Sequence, residues 1–304
     1  MRMVGLDFQQ ALEGNQFVIT AELAPPKGTD VSRMLACAER LKGRVHGINV
    51  TDNQSAVMRL GSLAACHLLK ERGFDPIYQI TCRDRNRLAL ESDLLSAAVL
   101  GIRNVLVLTG DHPNAGDHPE AKAVYDLDST QLLQVINRLN QGRDLSSRSS
   151  RGKPLVNGAT LAGGTNLFAG AVVNPEANPL EPQIWRFSQK VAAGARFFQT
   201  QAVYDLERFD QFMGYARELG AKILAGVLLV RSAAAARYVN EHVPGVVVPE
   251  RVVKELESSA NPLEAGIRMA GQQIRYLRER CAGVHIMAIG LEEHIPAVLD
   301  EAGI

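Results

Sequence analysis

The chain has 304 residues, of which 46% are hydrophobic and 22% charged, enough for one large globular domain. Its 33 basic residues balance 33 acidic ones, which argues against binding nucleic acid or a membrane surface. No apolar run approaches the length of a membrane span, no secretory signal is readable, and the four cysteines form no Cys-x-x-Cys pair, so we expect a cytoplasmic protein without a metal centre of its own.

Eight apolar segments, each ending in small or polar residues, recur along the chain. They cover residues 17–26, 46–53, 76–83, 104–113, 169–176, 197–201, 223–229 and 285–290. Near-continuous Val, Leu and Ile runs are typical of parallel strands that are covered on both faces. Segments with apolar residues at helical spacing lie between them, at 31–41, 56–72, 88–100, 184–193 and 206–219.

The alternation of strands and helices predicts an α/β fold with right-handed crossovers and a parallel sheet. Eight such units in a chain of this length fit a closed (β/α)8 TIM barrel, so we predict a single catalytic barrel domain over residues 1–304. An open doubly wound sheet is the alternative. No Gly-x-Gly-x-x-Gly follows the first strand and no phosphate-binding loop is present, which disfavours it.

Residues 140–166 interrupt the regular spacing of these units. The segment is rich in Gly, Ser, Arg and Asn, and loops of this length in a compact barrel are usually functional or disordered. We therefore predict a mobile flap over the barrel mouth, with a plain surface insertion as the alternative.

Reactive groups in such barrels collect where the strands end at their carboxyl side. The apolar run that starts at residue 104 stops on Gly110 and Asp111, although an acidic residue there is also typical of a helix cap. Other polar residues at strand ends are Glu22, Thr51, Asp52, Gln79, Thr81, Asn174, Glu176, Thr200 and Gln201. Separated carboxylates such as Glu22 and Asp111 among Gln, Asn and Thr suit a flat heterocycle with amide-like edges, and the seven histidines show no metal-ligand spacing.

Several short motifs follow one another along the chain. They are residues 19–27 (ITAELAPPK), 50–53 (VTDN), 80–86 (ITCRDRN), 100–111 (LGIRNVLVLTGD) and 190–201 (KVAAGARFFQTQ). Each is weak alone, but together they resemble the methylenetetrahydrofolate reductase family nearly end to end. That family is a flavin-bearing (β/α)8 barrel that reduces 5,10-methylenetetrahydrofolate to 5-methyltetrahydrofolate, and the resemblance implies the same activity here.

The resemblance also implies roles for individual residues. Glu22 matches the family's general acid, which promotes opening of the substrate's imidazolidine ring to the iminium that accepts hydride from flavin N5. Asp111 matches the aspartate beside flavin and pterin, where its carboxylate can bind the pterin amide edge and stabilise the cationic iminium. Gln201 matches a pterin-binding glutamine. We therefore expect Glu22 and Asp111 to be catalytic, and Gln201 and Asp111 to bind substrate.

A flavin cofactor is implied in the same way, with FAD favoured over FMN although no adenine-binding motif is readable. Positions that hold the flavin in the family carry Thr51, Gly110, Asp111, Tyr125, Asp126 and Lys190 in this chain. Gln79 and Asn174 stand where better-known members have a histidine and a tyrosine, and they are predicted to contact the flavin too. For Tyr125, simple packing is the alternative.

Two departures from the familiar form bear on the electron donor. Leu229 stands where that form has a proline near its nicotinamide and folate site, and Leu291 stands where a substrate-binding arginine is expected. The ending at residues 285–290 is similar to anaerobic and acetogen-type members, whose reductase works with a separate iron–sulfur subunit. The resemblance thus implies folate as substrate and an oligomer or hetero-complex in which a partner supplies the cluster, with NAD(P)H as the other candidate donor.

Two other functions stay open at this point. One is a pterin-dependent methyltransferase barrel, which would bind folate without flavin and hand a methyl group to a corrinoid protein. The other is a non-catalytic folate-binding or scaffolding subunit of a larger complex, against which the carboxylates of Glu22 and Asp111 argue.

Overall fold

The computed structural model describes residues 7–243 and 245–304. Eight parallel strands close into a barrel in chain order, so the predicted α/β class and (β/α)8 TIM barrel are confirmed. The strands are β1 (Val18–Leu23), β2 (Gly47–Val50), β3 (Pro76–Thr81), β4 (Asn104–Leu108), β5 (Phe168–Val173), β6 (Phe197–Ala202), β7 (Lys222–Leu228) and β8 (Gly283–Met287).

Helices pack around this barrel and against its lower end. They are α1 (Phe8–Glu13), α2 (Ser32–Leu41), α3 (Ser62–Lys70), α4 (Arg87–Val99), α5 (Ser129–Asn140), α6 (Glu181–Ala192), α7 (Leu206–Glu218), α8 (Ala233–His242), α9 (Glu250–Ser258), α10 (Pro262–Leu277) and α11 (Ile295–Glu301). Within the described ranges, no helix combines the length and the apolar character needed to cross a bilayer.

Alternate residues of each strand face two different cores. Outward-facing residues such as Ile19, Ile48 and Ile80 pack in one large cluster with the helices. Inward-facing residues such as Ile77 and Leu106 belong to a separate cluster inside the barrel. Because strand side chains alternate with a period of two, this sorting identifies which residues point at the barrel axis.

Helix α1 closes the lower end of the barrel, where the strands begin. Its Phe8 packs against two inward-facing rings, with ring centroids 6.1 Å from Phe168 and 5.0 Å from Phe197. Phe8 and Leu12 of this helix are fully buried in the same cluster. Aromatic and aliphatic side chains therefore fill the lower interior, and a ligand can enter only from the opposite end.

The strand register arranges the upper interior in layers contributed by alternate strands, as is usual for this barrel. One layer comes from the even strands and consists of Asn49, Leu106, Gln199 and His285. The layer above it comes from the odd strands and consists of Glu22, Gln79, Val172 and Gly226. The floor of the mouth is therefore built largely from polar side chains.

The segment at residues 140–166 starts and ends at the lower end of the barrel and contacts α4. It joins the end of α5 to the start of β5, and helix ends and strand starts both lie at the lower end of this barrel. Its Leu145 N–H donates to the Glu91 carboxylate on α4 at 2.8 Å, and Asp144 accepts from the N–H groups of Ser146 and Ala159. The segment is thus attached at the lower end and packs in part on α4, as a surface insertion does; the mobile flap over the mouth stays a prediction.

Candidate functional site

Glu22 lies near the end of β1 and points into the barrel mouth. Its side chain is 13% exposed, with Oε2 3.5 Å from His285 Nε2. Its other carboxylate oxygen, Oε1, accepts a hydrogen bond of 3.1 Å from Gln54 Nε2. The carboxylate forms one wall of a cleft of about 400 Å³, which the Pro25–Pro26 pair also lines. A largely buried carboxyl group beside an open cleft is suited to proton transfer to a bound molecule.

A strained turn brings Gln54 to Glu22. Asn53, Ser55 and Ala56 all have left-handed backbone, with φ of 46°, 56° and 57°. Non-glycine residues rarely adopt this conformation, and such strain is concentrated at functional sites. Helix α3 consequently begins at Ser62, later than the helix predicted from residue 56.

Behind Glu22, His285 connects the carboxylate to the barrel interior. Its Nδ1 lies 3.1 Å from both Thr20 Oγ1 and Asn49 Nδ2. Because the Asn49 amide nitrogen can only donate, Nδ1 must accept, and the neutral ring then carries its proton on Nε2, facing Glu22. Sequence reasoning missed this role of His285. The available signals were Thr20 and Glu22, which are two residues apart and so face the same side of β1, and Asn49, a polar residue within an apolar run.

Asp111 follows β4 at the mouth and is exposed. Its backbone carbonyl accepts from Arg83 Nη1 at 3.3 Å, which leaves the carboxylate facing solvent. The helix-cap alternative is wrong, because His112 caps the next short turn and Asp128 caps α5. Asp111 therefore presents a carboxylate that a ligand can reach.

The turn before Asp111 requires glycine. Gly110 has a φ of 88°, and a Cβ there would lie 3.1 Å from the side chains of Arg83 and Thr81. The Tyr125 hydroxyl donates to the Gly110 carbonyl at 3.1 Å. Tyr125 thus has a packing role beside Gly110, and its predicted flavin contact stays a prediction.

Asp126 is held by the protein itself. Its carboxylate accepts from the Arg87 backbone N–H and Nε at 2.8 Å and from Nη2 at 2.9 Å. The Arg87 hydrogen bonds lower the pKa of the Asp126 carboxyl to about 2. This contact anchors the loop after β4 to the start of α4, and cofactor binding by Asp126 stays a prediction.

Three predicted binding residues, Asn174, Lys190 and Gln201, line a second cleft of about 650 Å³. Lys190 Nζ donates to the Val172 carbonyl at 2.8 Å. Burial, reinforced by the Arg186 guanidinium, lowers the pKa of the Lys190 amine to about 8. Asn174 is held in place, because its Nδ2 donates to the Gly245 carbonyl and its Oδ1 accepts from the Glu176 N–H.

Thr51 and Gln79 are both buried at the mouth, and their predicted flavin contacts stay predictions. Thr51 Oγ1 has no hydrogen-bond partner among the described residues. Gln79 is an inward-facing member of the layer that also contains Glu22. These two side chains therefore offer polar groups that a ligand can use.

Other strand-end residues hold the barrel together instead. Asp52 pairs with Arg85 at 2.7 Å and accepts from the Thr81 hydroxyl at 2.9 Å. Glu176 accepts from the Asp205 N–H at 2.7 Å, and Thr200 Oγ1 accepts from the Gly226 N–H at 2.9 Å. The protein itself thus engages polar atoms of these residues, and any ligand contact that they make stays a prediction.

An apolar cleft of about 530 Å³ lies beside the Glu22 cleft. Both Leu229 and Leu291, the two departures from the familiar form, line it. Ile289 borders this cleft and the Glu22 cleft alike, with an unusual φ of 44° for a β-branched residue. The departures are therefore clustered at one side of the mouth.

Among solved structures, two examples have a fold similar to that of this chain. EDTA monooxygenase (EmoA) from Chelativorans sp. BNC1 aligns with a TM-score of 0.56 and 10% identity, over 93% of this chain and 92% of that one. DmoA from Hyphomicrobium sulfonivorans aligns with a TM-score of 0.57 and 9% identity, over 93% and 85%. Likeness at such identities concerns the fold alone.

Curated relatives match at low identity. Methylenetetrahydrofolate reductase 2 of Schizosaccharomyces pombe is 23% identical over 74% of this chain and 35% of its own length. The 5,10-methylenetetrahydrofolate reductase of Pectobacterium carotovorum is 24% identical over 70% and 64%. A probable NADPH enzyme of that name in Caenorhabditis elegans is 21% identical over 97% and 44%. The aligned parts thus span 35% to 64% of the relatives' lengths.

The sequence model described as methylenetetrahydrofolate reductase matches residues 7–303, which is nearly the whole chain. The resemblance seen in the short motifs is thereby confirmed, and this chain belongs to the methylenetetrahydrofolate reductase family.

Proposed function

We propose that the chain reduces 5,10-methylenetetrahydrofolate to 5-methyltetrahydrofolate with the help of a bound flavin. The observation that carries the proposal is the pairing of Glu22 with His285 at the edge of an open cleft, in a chain that the family matches from end to end. Such a pair can hold a proton and deliver it to a ring nitrogen of the substrate.

In this proposal Glu22 is the general acid that opens the imidazolidine ring and leaves a cationic iminium. His285, fixed by Thr20 and Asn49, keeps the carboxyl group oriented toward the cleft. Asp111 presents its exposed carboxylate to the pterin amide edge and to the positive charge that develops. Gln201, on the wall of the second cleft, binds the pterin.

The described residues fit a flavin. The unpaired Thr51 hydroxyl and the inward-facing Gln79 amide can bind a heterocycle with donor and acceptor edges. Lys190 lies on the wall of the second cleft, where its amine can pair with a phosphate. When bound, the flavin would supply the hydride. FAD is favoured over FMN, as in the sequence-based expectation.

The electron donor is proposed to be an iron–sulfur partner subunit. Leu229 and Leu291 make one side of the mouth apolar, where the familiar form has a proline and an arginine. Stopped-flow mixing of the purified chain with NADH tests this part. We expect slow or no bleaching of the flavin, and activity with a reduced viologen dye. Rapid bleaching, within a typical turnover time of about 0.1 s, would identify a self-sufficient NADH-dependent enzyme instead.

The function itself is tested by the absorbance and mass of the cofactor released from the purified protein, together with an assay for 5-methyltetrahydrofolate using reduced viologen. A yellow protein that forms the product is expected. A colourless protein that binds folate and methylates a corrinoid acceptor would favour the methyltransferase alternative, and a protein inactive with every donor would favour the non-catalytic subunit.

A further inference from the structure

Gln199 is a buried amide without partners inside the barrel. It lies on β6, faces inward and is 2% exposed. Neither its Nε2 nor its Oε1 has a hydrogen-bond partner among the described residues. An amide carries two donor hydrogens and one acceptor oxygen, and burying all of them unpaired is unfavourable. Such a group in a native protein requires an explanation, most often a water or a ligand.

The neighbours of Gln199 on the barrel wall cannot satisfy it. The inward-facing positions on the adjacent strands are Gly170 and Val172 on β5, and Leu224 and Gly226 on β7. None of these has a polar side chain. These four residues offer a trapped water no side-chain partner. In the same layer, Asn49 Oδ1 also has no partner among the described residues. A ligand that enters from the mouth brings its own polar edge.

Gly226 places no side chain above Gln199. It belongs to the next layer toward the mouth, with Glu22, Gln79 and Val172. A Cβ at Gly226 would lie 2.5 Å from the Gln201 carbonyl oxygen, because the backbones of β6 and β7 approach closely where their register shifts. A side chain is therefore excluded at this point of the upper layer, and the Gln199 amide is not covered from that strand.

We propose that the Gln199 amide hydrogen bonds a polar edge of the flavin ring system, an inference that rests on the proposed flavin-dependent function. The pyrimidine part of that ring system carries N–H and C=O groups side by side, and an amide matches them with one acceptor and one donor. Gln199 thereby acts as a cofactor-binding residue that extends the Thr51 and Gln79 set into the barrel. The buried amide is acceptable in the folded protein because the bound cofactor supplies its hydrogen-bond partners.

The test compares Gln199→Met with Leu106→Met, a control in the same layer that changes an apolar side chain only. Flavin is stripped from the purified protein, and FMN and FAD are titrated back with fluorescence as the readout. We expect Gln199→Met to weaken flavin binding by about tenfold, the effect of losing one or two hydrogen bonds. The thermal midpoint of the flavin-free variant should rise above that of the wild type, because the unpaired amide is gone. Leu106→Met should leave flavin affinity within about twofold.

Three results would overturn the inference. Unchanged flavin affinity in Gln199→Met would mean that the amide does not contact the cofactor, while the proposed function would stand if the wild type binds flavin. A lower thermal midpoint of the flavin-free variant would mean that the amide has an internal partner such as water. Weaker folate binding with unchanged flavin affinity would assign the amide to the pterin. If the wild type itself binds no flavin, the proposed function and this inference both fail.

Discussion

The two sides of the barrel mouth differ in how their inward-facing polar side chains are hydrogen bonded. On the side of β1, β2 and β8, the carboxylate of Glu22 is linked to His285, which is held by Thr20 and Asn49. On the side of β6, Gln199 has no partner for either amide atom among the described residues. In the proposals above, the first side holds Glu22 ready for proton transfer, whereas Gln199 gains its hydrogen bonds from a bound flavin. Mutations on the two sides should therefore affect chemistry and cofactor binding separately.

The largest effect is expected from Glu22→Gln, which keeps the shape of the side chain and removes its transferable proton. Formation of 5-methyltetrahydrofolate should fall by roughly 10²–10⁴-fold, the usual contribution of general acid catalysis. Steady-state assay with a reduced viologen dye measures it, and flavin reduction by the same dye should persist. Glu13→Gln makes the same change at the closed lower end of the barrel and should leave the rate unaltered. A near-normal rate in Glu22→Gln would remove the acid role.

A smaller effect is expected at His285, which positions Glu22 through its Nε2 proton. His285→Asn removes the donor at the Nε2 position and should lower kcat roughly 3- to 10-fold, the range for one hydrogen bond to a neutral carboxyl group. His285→Gln can place an amide N–H near that position and should retain more of the rate. Flavin affinity should be unchanged in both variants.

The His285 series also separates positioning from simple structural support. Both replacements are polar and buried, so their thermal midpoints should be similar. If kcat falls equally in the Asn and Gln variants, and in proportion to the drop in their thermal midpoints, His285 has a structural role only.

The cofactor side should respond to pH through Lys190. Its pKa is lowered to about 8 by burial, so the amine loses its charge as the pH rises through that value. FMN affinity should fall by about tenfold between pH 7 and pH 9, because only the charged amine attracts the phosphate. Riboflavin, which has no phosphate, should bind equally at both pH values, and Lys190→Met should abolish the dependence. A dependence shared by riboflavin would place the titrating group elsewhere.

The same pKa predicts a trend in the stability of the flavin-free protein. The folded pKa near 8 lies below the ordinary value of 10.5, so the unfolded chain binds more protons between these two values. The contribution of Lys190 to the free energy of unfolding should therefore increase as the pH rises from about 8 to 10.5. Comparing denaturant midpoints of the wild type and Lys190→Met across this range isolates the contribution.

The barrel could be predicted from the sequence because each strand is a continuous apolar run and each run ends on polar residues. Glu22 and Asp111 could be recognised as strand-end carboxylates for the same reason, whereas their catalytic roles were predicted only from the resemblance to the family. The partner Gln54 was not predictable, because it depends on left-handed backbone at residues 53–56. The sequence also does not show which strand-end polar groups already have a partner within the protein. The ion pair of Asp52 with Arg85, for example, is visible only in the folded structure.

The smallest effect is expected at Asp111, whose exposed carboxylate lies between the two sides. Asp111→Asn removes a negative charge from the proposed flavin site, which makes the reduced, anionic flavin easier to form. The midpoint potential should rise by roughly 10–30 mV, the effect of one partly screened charge at close range. Glu120→Gln removes an exposed charge from the same loop and should shift the potential much less. Potentiometry on both variants measures the shift. An unchanged or lowered potential in Asp111→Asn would mean that this carboxylate does not lie beside the flavin and contacts only the folate.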